Sequence, residues 1–111
     1  MGRQVRTDLD SVFTALADPT RRAILARLAQ GDTYVTELTK PHNMSFAAVS
    51  KHIQVLENAG LASRIREGRK IRCRFNPAPL DQAEGWITQQ KHFWEGTLDS
   101  FGEFLSTDAE S

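Results

Sequence analysis

The chain has 111 residues and a formal net charge of zero, with 40% hydrophobic and 25% charged residues, a composition typical of one small globular domain. Its single cysteine, Cys73, excludes an internal disulfide and a cysteine-cluster metal site within one chain. No apolar run approaches the roughly 20 residues that a membrane-spanning helix needs, and the first ten residues lack the apolar core of a signal peptide, so we expect a cytoplasmic protein with no membrane partner.

The zero net charge conceals a strong asymmetry along the chain. Residues 45–80 carry seven Lys or Arg against two acids, whereas residues 81–111 carry one Lys against seven acids. Because salt screens charges beyond about 10 Å at 0.1 M, the local charge decides what a polyanion meets. The basic segment makes a nucleic acid a candidate partner, and an ordinary solvated charged surface is the alternative.

Apolar residues at helical spacing predict four helices in the first part of the chain, over residues 7–17, 19–29, 34–40 and 46–58. Thr7, Asp18 and Ser45 offer side-chain oxygens that can cap the first, second and fourth helices. Pro41 is expected to end the third helix, because its ring clashes with helical geometry.

After Leu61 the apolar period changes from 3.6 residues to two, which is typical of strands. Apolar residues alternate with cations in 64–66 and 70–75, on either side of the turn Glu67-Gly68-Arg69, so the sequence predicts a β-hairpin. Such a turn would place the apolar side chains on one face and the cations on the other. The apolar set is Ile65, Ile71, Cys73 and Phe75.

A last helix is predicted over residues 79–105, roughly 40 Å long at 1.5 Å per residue. It completes a single domain, 1–106, that is followed by a loose tail at 107–111. Five of the nine aromatic residues lie on this helix, more than a one-sided surface helix needs, which favours self-association. The residues predicted at the dimer interface on this helix are Trp86, Ile87, Phe93, Trp94, Leu98 and Phe101.

The most informative unit is a short helix, a tight connection and a second helix, followed directly by a basic hairpin. Two helices so joined allow the second to enter the major groove of DNA. Ser50 and Gln54 can hydrogen-bond to base edges, and Lys51 can reach a phosphate or a guanine. The predicted DNA-binding residues are Ser45, Phe46, Ala47, Ala48, Ser50, Lys51, His52, Gln54, Arg64, Arg66, Arg69, Lys70 and Arg72.

The strings ALADPTRRAILARLAQGDTYVTEL and MSFAAVSKHIQVLENAGLASRIREGRKIRCRF, with the long last helix, resemble an ArsR/SmtB-type winged helix-turn-helix regulator over about residues 8–105. The resemblance implies a mostly α fold with a small β-hairpin, in the order α-α-α-α-β-β-α. It also makes 35–40 the supporting helix, 45–58 the recognition helix and 64–75 the wing.

The same resemblance implies a homodimer, joined through its terminal helices, that binds a near-palindromic double-stranded operator and usually represses transcription. The first helix would then contribute to the interface as well. Its predicted interface residues are Leu9, Val12, Phe13 and Leu16.

The sequence departs from the metal-sensing members of this family. Those members place a cysteine pair in the supporting helix or His and acidic ligands on the last helix, whereas here the supporting helix contains Val35-Thr36-Glu37-Leu38 and the last helix has one histidine, His92. We therefore expect no metal and no cofactor. A metal-responsive repressor with an atypical site across the dimer, using His92 and Glu95, is the alternative.

The single cysteine, Cys73, lies in the predicted hairpin between two arginines. Cys73 should behave as a small inert apolar residue of the strand, and redox sensing is the alternative, because flanking arginines could lower the thiol pKa.

The chain has no glycine-rich phosphate loop and no nucleophile motif, so we do not expect an enzyme. A protein-interaction adaptor on the same fold stays open, and an effector, small molecule or protein, is not readable from the residues.

Overall fold

The computed structural model describes residues 8–110, with side chains up to Asp99, and it has five α-helices and three strands in this part of the chain. In chain order they are α1 (Leu9–Leu16), α2 (Pro19–Leu28), β1 (Thr33–Tyr34), α3 (Val35–Thr39), α4 (Phe46–Asn58), β2 (Ala62–Glu67), β3 (Lys70–Phe75) and α5 (Ala78–Glu110). The predicted order of four helices, a hairpin and a final helix is therefore confirmed.

Side-chain caps define where three of the helices begin. The Asp18 carboxylate accepts from the backbone N–H of Arg21 at 3.1 Å, and Ser45 Oγ accepts from the N–H of Ala48 at 3.1 Å, both as predicted. The cap of α1 is Asp8, whose carboxylate accepts from Asp10 N–H at 3.1 Å. The cap predicted for this helix, Thr7, lies outside the described residues.

The chain around α3 differs from the prediction at both ends. Thr33 and Tyr34 form β1, a two-residue strand too short to give a periodic signal, and they pair with Cys73 and Arg72 of β3. At the other end α3 stops at Thr39, but the chain continues in a 3₁₀ turn, Lys40–His42, instead of ending at Pro41. Proline fits there because the first turn of a helix needs no N–H from it.

The three strands form an antiparallel sheet in the order β1-β3-β2. Glu67 pairs with Lys70, so the hairpin turn contains two residues, Gly68 and Arg69, and Gly68 adopts the positive φ of 62° that the first turn position requires. The three-residue turn predicted from the sequence is wrong.

This change of register by one residue moves Ile65 to the other face of the hairpin. Ile65 stands opposite Arg72, and Arg64 stands opposite Cys73. The prediction that Ile65 shares a face with Ile71, Cys73 and Phe75 is therefore wrong, and the cations are divided between both faces.

The helices α1–α4 and the sheet enclose an apolar core. Ile24, Ile53 and Leu56 are among its fully buried side chains. Val12 is also fully buried, which removes it from the predicted dimer interface, because a side chain enclosed by its own chain cannot contact a partner. The other residues with no more than 2% exposure are Ala15, Leu28, Val35, Leu38, Val49, Leu61 and Cys73.

The chain separates into two compact units, the first ending at Asp81 and the second beginning at Gln82, where the sequence predicts one domain over 1–106. The second unit contains the rest of α5, which remains helical to Glu110, so residues 107–110 of the predicted loose tail are helical, and Ser111 lies outside the described residues. Residues 103–110 contain neither Gly nor Pro to end a helix. Within the described residues, no helix is long and apolar enough to cross a membrane.

Candidate nucleic-acid interface

One side of α4 is buried and the other is open. Val49, Ile53 and Leu56 face the core, whereas Lys51 and Gln54 are exposed. Phe46, at the start of the helix, is 47% exposed although it is a large apolar residue. Ser45 and Ala47 are also exposed, and Ala48, Ser50 and His52 are half-buried. The structure thus brings the predicted DNA-binding residues of this helix to its start and outer side.

Arg64, at the start of the hairpin, turns back to α4 instead of extending from the wing. Its guanidinium donates to the Glu57 carboxylate, with Nη2 2.7 Å from Oε1, and both side chains are about one-fifth exposed. It also donates to Ser50 Oγ at 2.8 Å and to Gln54 Oε1 at 2.9 Å. The predicted DNA-binding cation Arg64 is therefore neutralised inside a cluster that includes two predicted base-reading residues.

Arg72 is likewise paired within the hairpin. Its Nε donates to Glu67 Oε2 at 2.7 Å, and this bond lowers the pKa of the Glu67 carboxyl and raises the pKa of Arg72. Tyr34 OH donates to the other carboxylate oxygen of Glu67 at 3.1 Å. On the same face Arg74 donates to Asp32 at 3.1 Å. Three arginines at the base and middle of the wing are thus held by carboxylates.

Four cations of the interface have no carboxylate partner in the described part of the chain: Lys51, Arg66, Arg69 and Lys70. The last three lie at or beside the tip of the hairpin, where Arg66 Nη1 donates to the carbonyl of Gly68 at 3.2 Å and Lys70 Nζ lies 4.9 Å from the centre of the Tyr34 ring. The free positive charge is therefore concentrated on α4 and the wing tip, and it is smaller than the seven cations of the sequence suggest.

His52 is tied to the helices that support α4. Arg21 Nη1 lies 3.2 Å from His52 Nδ1, while Arg21 Nε and Nη2 donate to the carbonyls of Ala15 and Thr14 at 2.8 and 2.9 Å. The Asp18 carboxyl beside them has a lowered pKa, chiefly because it accepts from the backbone N–H of Arg21. Sequence reasoning missed this role of Arg21, although the string DPTRR, which places a basic residue within the first turn after a cap, could have indicated it.

The side chains considered for sensing do not form a site. Cys73 is fully buried, and burial raises the pKa of its thiol to about 11. No three His, Cys, Asp or Glu side chains among the described residues come together in a way that could hold a metal ion. The fully buried, protonated thiol gives no support to the redox alternative.

The α5 helix carries a row of exposed apolar side chains. Trp86 and Ile87 are 44% and 42% exposed, and Phe93, Trp94 and Leu98 are each more than half exposed. At about 100° per residue these positions fall on one side of the helix. On α1, Phe13 is 38% exposed and Leu9 and Leu16 are half-buried. The side chain of Phe101 lies outside the described residues.

The chain is similar in sequence and in fold to known bacterial regulatory proteins. Residues 18–64 match the family model described as a bacterial regulatory protein of the arsR family. The chain is 33% identical to the transcriptional repressor SdpR of Bacillus subtilis over 71% of its own length and 88% of that protein, and 33% identical to the HTH-type transcriptional regulator Rv2034 of Mycobacterium tuberculosis over 91% and 92%. An ArsR-like transcriptional regulator from Rhodococcus sp. RHA1 superposes with a TM-score of 0.82 and 30% identity, covering 89% of this chain and 91% of that one.

The fold, with its basic hairpin and the exposed side of α4, is that of a winged helix-turn-helix protein, a DNA-binding class. Within that class the chain belongs to the arsR family of bacterial regulatory proteins. It is a DNA-binding transcriptional regulator, and the two relatives named above are likewise described as transcriptional regulators. The family and fold predicted from the sequence are confirmed.

Proposed function

We propose that the protein is a homodimeric, sequence-specific repressor that inserts α4 into the major groove of a near-palindromic operator and lays the hairpin along the neighbouring backbone. The observation that carries the proposal is the position of the free cations. Lys51 lies on the open side of α4, and Arg66, Arg69 and Lys70 lie at the tip of the adjoining hairpin, within the same compact unit.

The chemistry of α4 supports major-groove entry. The groove of B-form DNA accepts one helix, and the outer side of α4 offers Phe46 and Ala47 for thymine methyl groups and Ser50 and Gln54 for base edges. Since Ser45 caps the helix with its side chain, the remaining N–H groups of the first turn can receive a phosphate.

Dimerisation is supported by the exposed apolar row on α5. Phe93, Trp94 and Leu98 are each more than half exposed, and aromatic residues are enriched at the centres of protein interfaces. A two-fold axis would set the two α4 helices about one DNA turn apart, ~34 Å, so that they enter successive major grooves. Repression is proposed because one relative carries the name of a transcriptional repressor.

Binding measurements on charge variants test the DNA-binding surface. Duplexes that bind the protein are first selected from a random pool, and affinities are then measured for a selected duplex and for a random one. Lys51→Ala and Arg69→Ala are expected to weaken binding to both duplexes alike, because phosphate contacts carry no sequence information. Ser50→Ala and Gln54→Ala should instead change the sequence preference.

Lys91→Ala is the matched control, since Lys91 is an exposed cation on α5 that belongs to the second compact unit. Its affinity for both duplexes should equal that of the unaltered protein. Equal losses in Lys51→Ala and Lys91→Ala, or no loss in either, would contradict the proposed surface.

A further inference from the structure

We propose that Arg64 is a positioning residue that sets the hydrogen-bonding polarity of α4, so that Ser50 and Gln54 present donors to the major groove and favour guanine over adenine. The inference rests on the proposed function, because it takes α4 as the helix that enters the groove. It adds the base that the helix prefers and the residue that imposes this preference.

Arg64 is held firmly in place by Glu57. Its Nε and Nη2 donate to Glu57 Oε1 at 3.1 and 2.7 Å, and its backbone N–H donates to Glu57 Oε2 at 3.1 Å. The Ser50 and Gln54 bonds add two more contacts, at 2.8 and 2.9 Å. Since a guanidinium has five N–H groups and these contacts use four, Arg64 cannot grip a phosphate with two bonds.

The guanidinium dictates which way its partners point. Arginine has no hydrogen-bond acceptor, so both Ser50 Oγ and Gln54 Oε1 must accept from it. The Ser50 hydroxyl hydrogen is then directed elsewhere, and it has no acceptor among the described residues. The Gln54 amide is oriented from its other end as well, because its Nε2 donates to Asn58 Oδ1 at 3.0 Å. One Nε2 hydrogen of Gln54 remains unbonded.

Ser50, Gln54 and Glu57 are spaced three or four residues apart, so they lie on one stripe of α4 with Arg64 across it. Gln54 is exposed and Ser50 is half-buried, and both have their oxygens turned to the cation. The hydrogens left for DNA on this stripe are thus the Ser50 O–H and one Gln54 N–H, while each oxygen keeps a single lone pair next to the guanidinium.

The bases differ in how well their major-groove edges fit such a donor surface. Guanine presents two acceptors, N7 and O6, and thymine presents one acceptor, O4, beside its methyl group, whereas adenine presents one acceptor and an amino donor, and cytosine presents an amino donor. Glutamine usually reads adenine with two bonds, donating to N7 and accepting from N6. That pairing would bring the adenine amino group to Gln54 Oε1 beside the Arg64 guanidinium, so that two donors would share one oxygen. The stripe therefore favours guanine over adenine.

Arg66 offers a matched comparison on the same strand. It is two residues further along, on the same face as Arg64, but it is exposed and has no carboxylate partner in the described chain. Arg66 is thus a cation for the DNA backbone, and Arg64 is a cation that acts through α4.

The experiment is selection of bound duplexes from a random pool with the unaltered protein, Gln54→Ala, Arg64→Lys and Arg66→Ala. The base position whose preference disappears in Gln54→Ala identifies the contact of Gln54. At that position the unaltered protein should prefer guanine over adenine by about tenfold. Lysine keeps the charge but not the planar fork, so Arg64→Lys should reduce this preference to less than about threefold while still binding duplexes. Arg66→Ala should weaken binding to all duplexes and keep the guanine preference.

Two results would overturn the inference. One is a preference for adenine or cytosine at the Gln54 position in the unaltered protein. The other is an Arg64→Lys variant that binds every duplex more weakly but keeps its base preference, because this behaviour belongs to a phosphate contact. If Arg64→Lys does not fold, as judged by circular dichroism, the guanine-to-adenine ratio of the unaltered protein decides alone.

Failure of the proposed function has a different signature. If neither Ser50→Ala nor Gln54→Ala alters the preference at any base position, α4 is not the helix that reads the sequence, and the donor surface is overturned with it. If these variants do alter the preference but the preferred base is adenine or cytosine, only the polarity imposed by Arg64 is wrong.

Discussion

At the scale of single residues, a carboxylate partner separates cations that can bind DNA from cations that hold the fold. Arg64 and Arg72 look the same as Arg66 and Arg69 in the sequence, because all four belong to one basic run. Glu57 and Glu67, which are 7 and 5 residues away along the chain, neutralise the first two. The sequence could predict the basic surface but not this division, which depends on strand register and on the reach of each carboxylate.

Cys73 gives a residue-scale prediction about reactivity. The thiol is fully buried and its pKa is raised to about 11, so at pH 8 only about one thiol in a thousand is ionised, compared with more than one in ten at an ordinary pKa of about 8.5. We expect iodoacetamide to alkylate the native protein at least about a hundredfold more slowly than the urea-unfolded protein. Mass spectrometry of timed samples measures both rates. Equal rates would show that the thiol is accessible and would restore the redox alternative.

At the scale of secondary-structure elements, the helices were predictable and the sheet only in part. Asp18-Pro19 and Ser45 carry start signals that act within one turn, so α2 and α4 begin where the sequence predicts. The hairpin was found by its period of two, but its register depends on whether the turn has two or three residues. Gly68 fits both turns, and only pairing across the strands selects between them.

The wing gives an element-scale prediction about charge. Glu67→Gln removes the carboxylate that accepts from Arg72 and so raises the net charge of each wing by one, while Asp32 Oδ2 remains 3.9 Å from Arg72 Nη1. We expect tighter binding to any duplex, by several-fold at 0.1 M salt, and a salt dependence that is steeper by about one per protomer. Fluorescence anisotropy with a labelled random duplex measures both quantities.

The matched control is Glu95→Gln, which changes net charge by the same amount on α5, an element outside the wing. Equal gains in affinity for the two variants would mean that overall charge, and not the release of Arg72, causes the effect.

The ordinary pKa of Glu67 is 4.5 and the bond to Arg72 lowers it, so this pair should persist above pH 4.5 and be lost only as the pH falls through the lowered value.

At the scale of the whole molecule, the proposed dimer depends on apolar side chains of α1 and α5. Each of them is covered either by the core of its own chain or by a partner chain. An apolar stripe does not reveal whether its own chain or a partner covers it. On α1, Val12 proved to be a core residue. On α5, Trp94 and Leu98 are more than half exposed, which is the ground for proposing that a second copy covers them.

The assembly yields a prediction for α5. Trp94→Ala is expected to shift the protein from dimer to monomer in sedimentation velocity and to weaken operator binding, because a large aromatic anchor would be removed from the interface. Gln89→Ala, an exposed polar position on the same helix, should leave the dimer unchanged. A Trp94→Ala protein that sediments as the unaltered dimer would refute the assignment of this face.

The central claim is that α4 and the wing tip of two protomers bind DNA through their free cations. The most direct test is the salt dependence of affinity for a selected duplex, between 50 and 300 mM salt. Four free cations in each protomer, Lys51, Arg66, Arg69 and Lys70, predict a slope of log affinity against log salt of about −7 for the dimer. A slope near zero would contradict the account, because it would mean that these cations do not displace the counterions of the phosphate backbone.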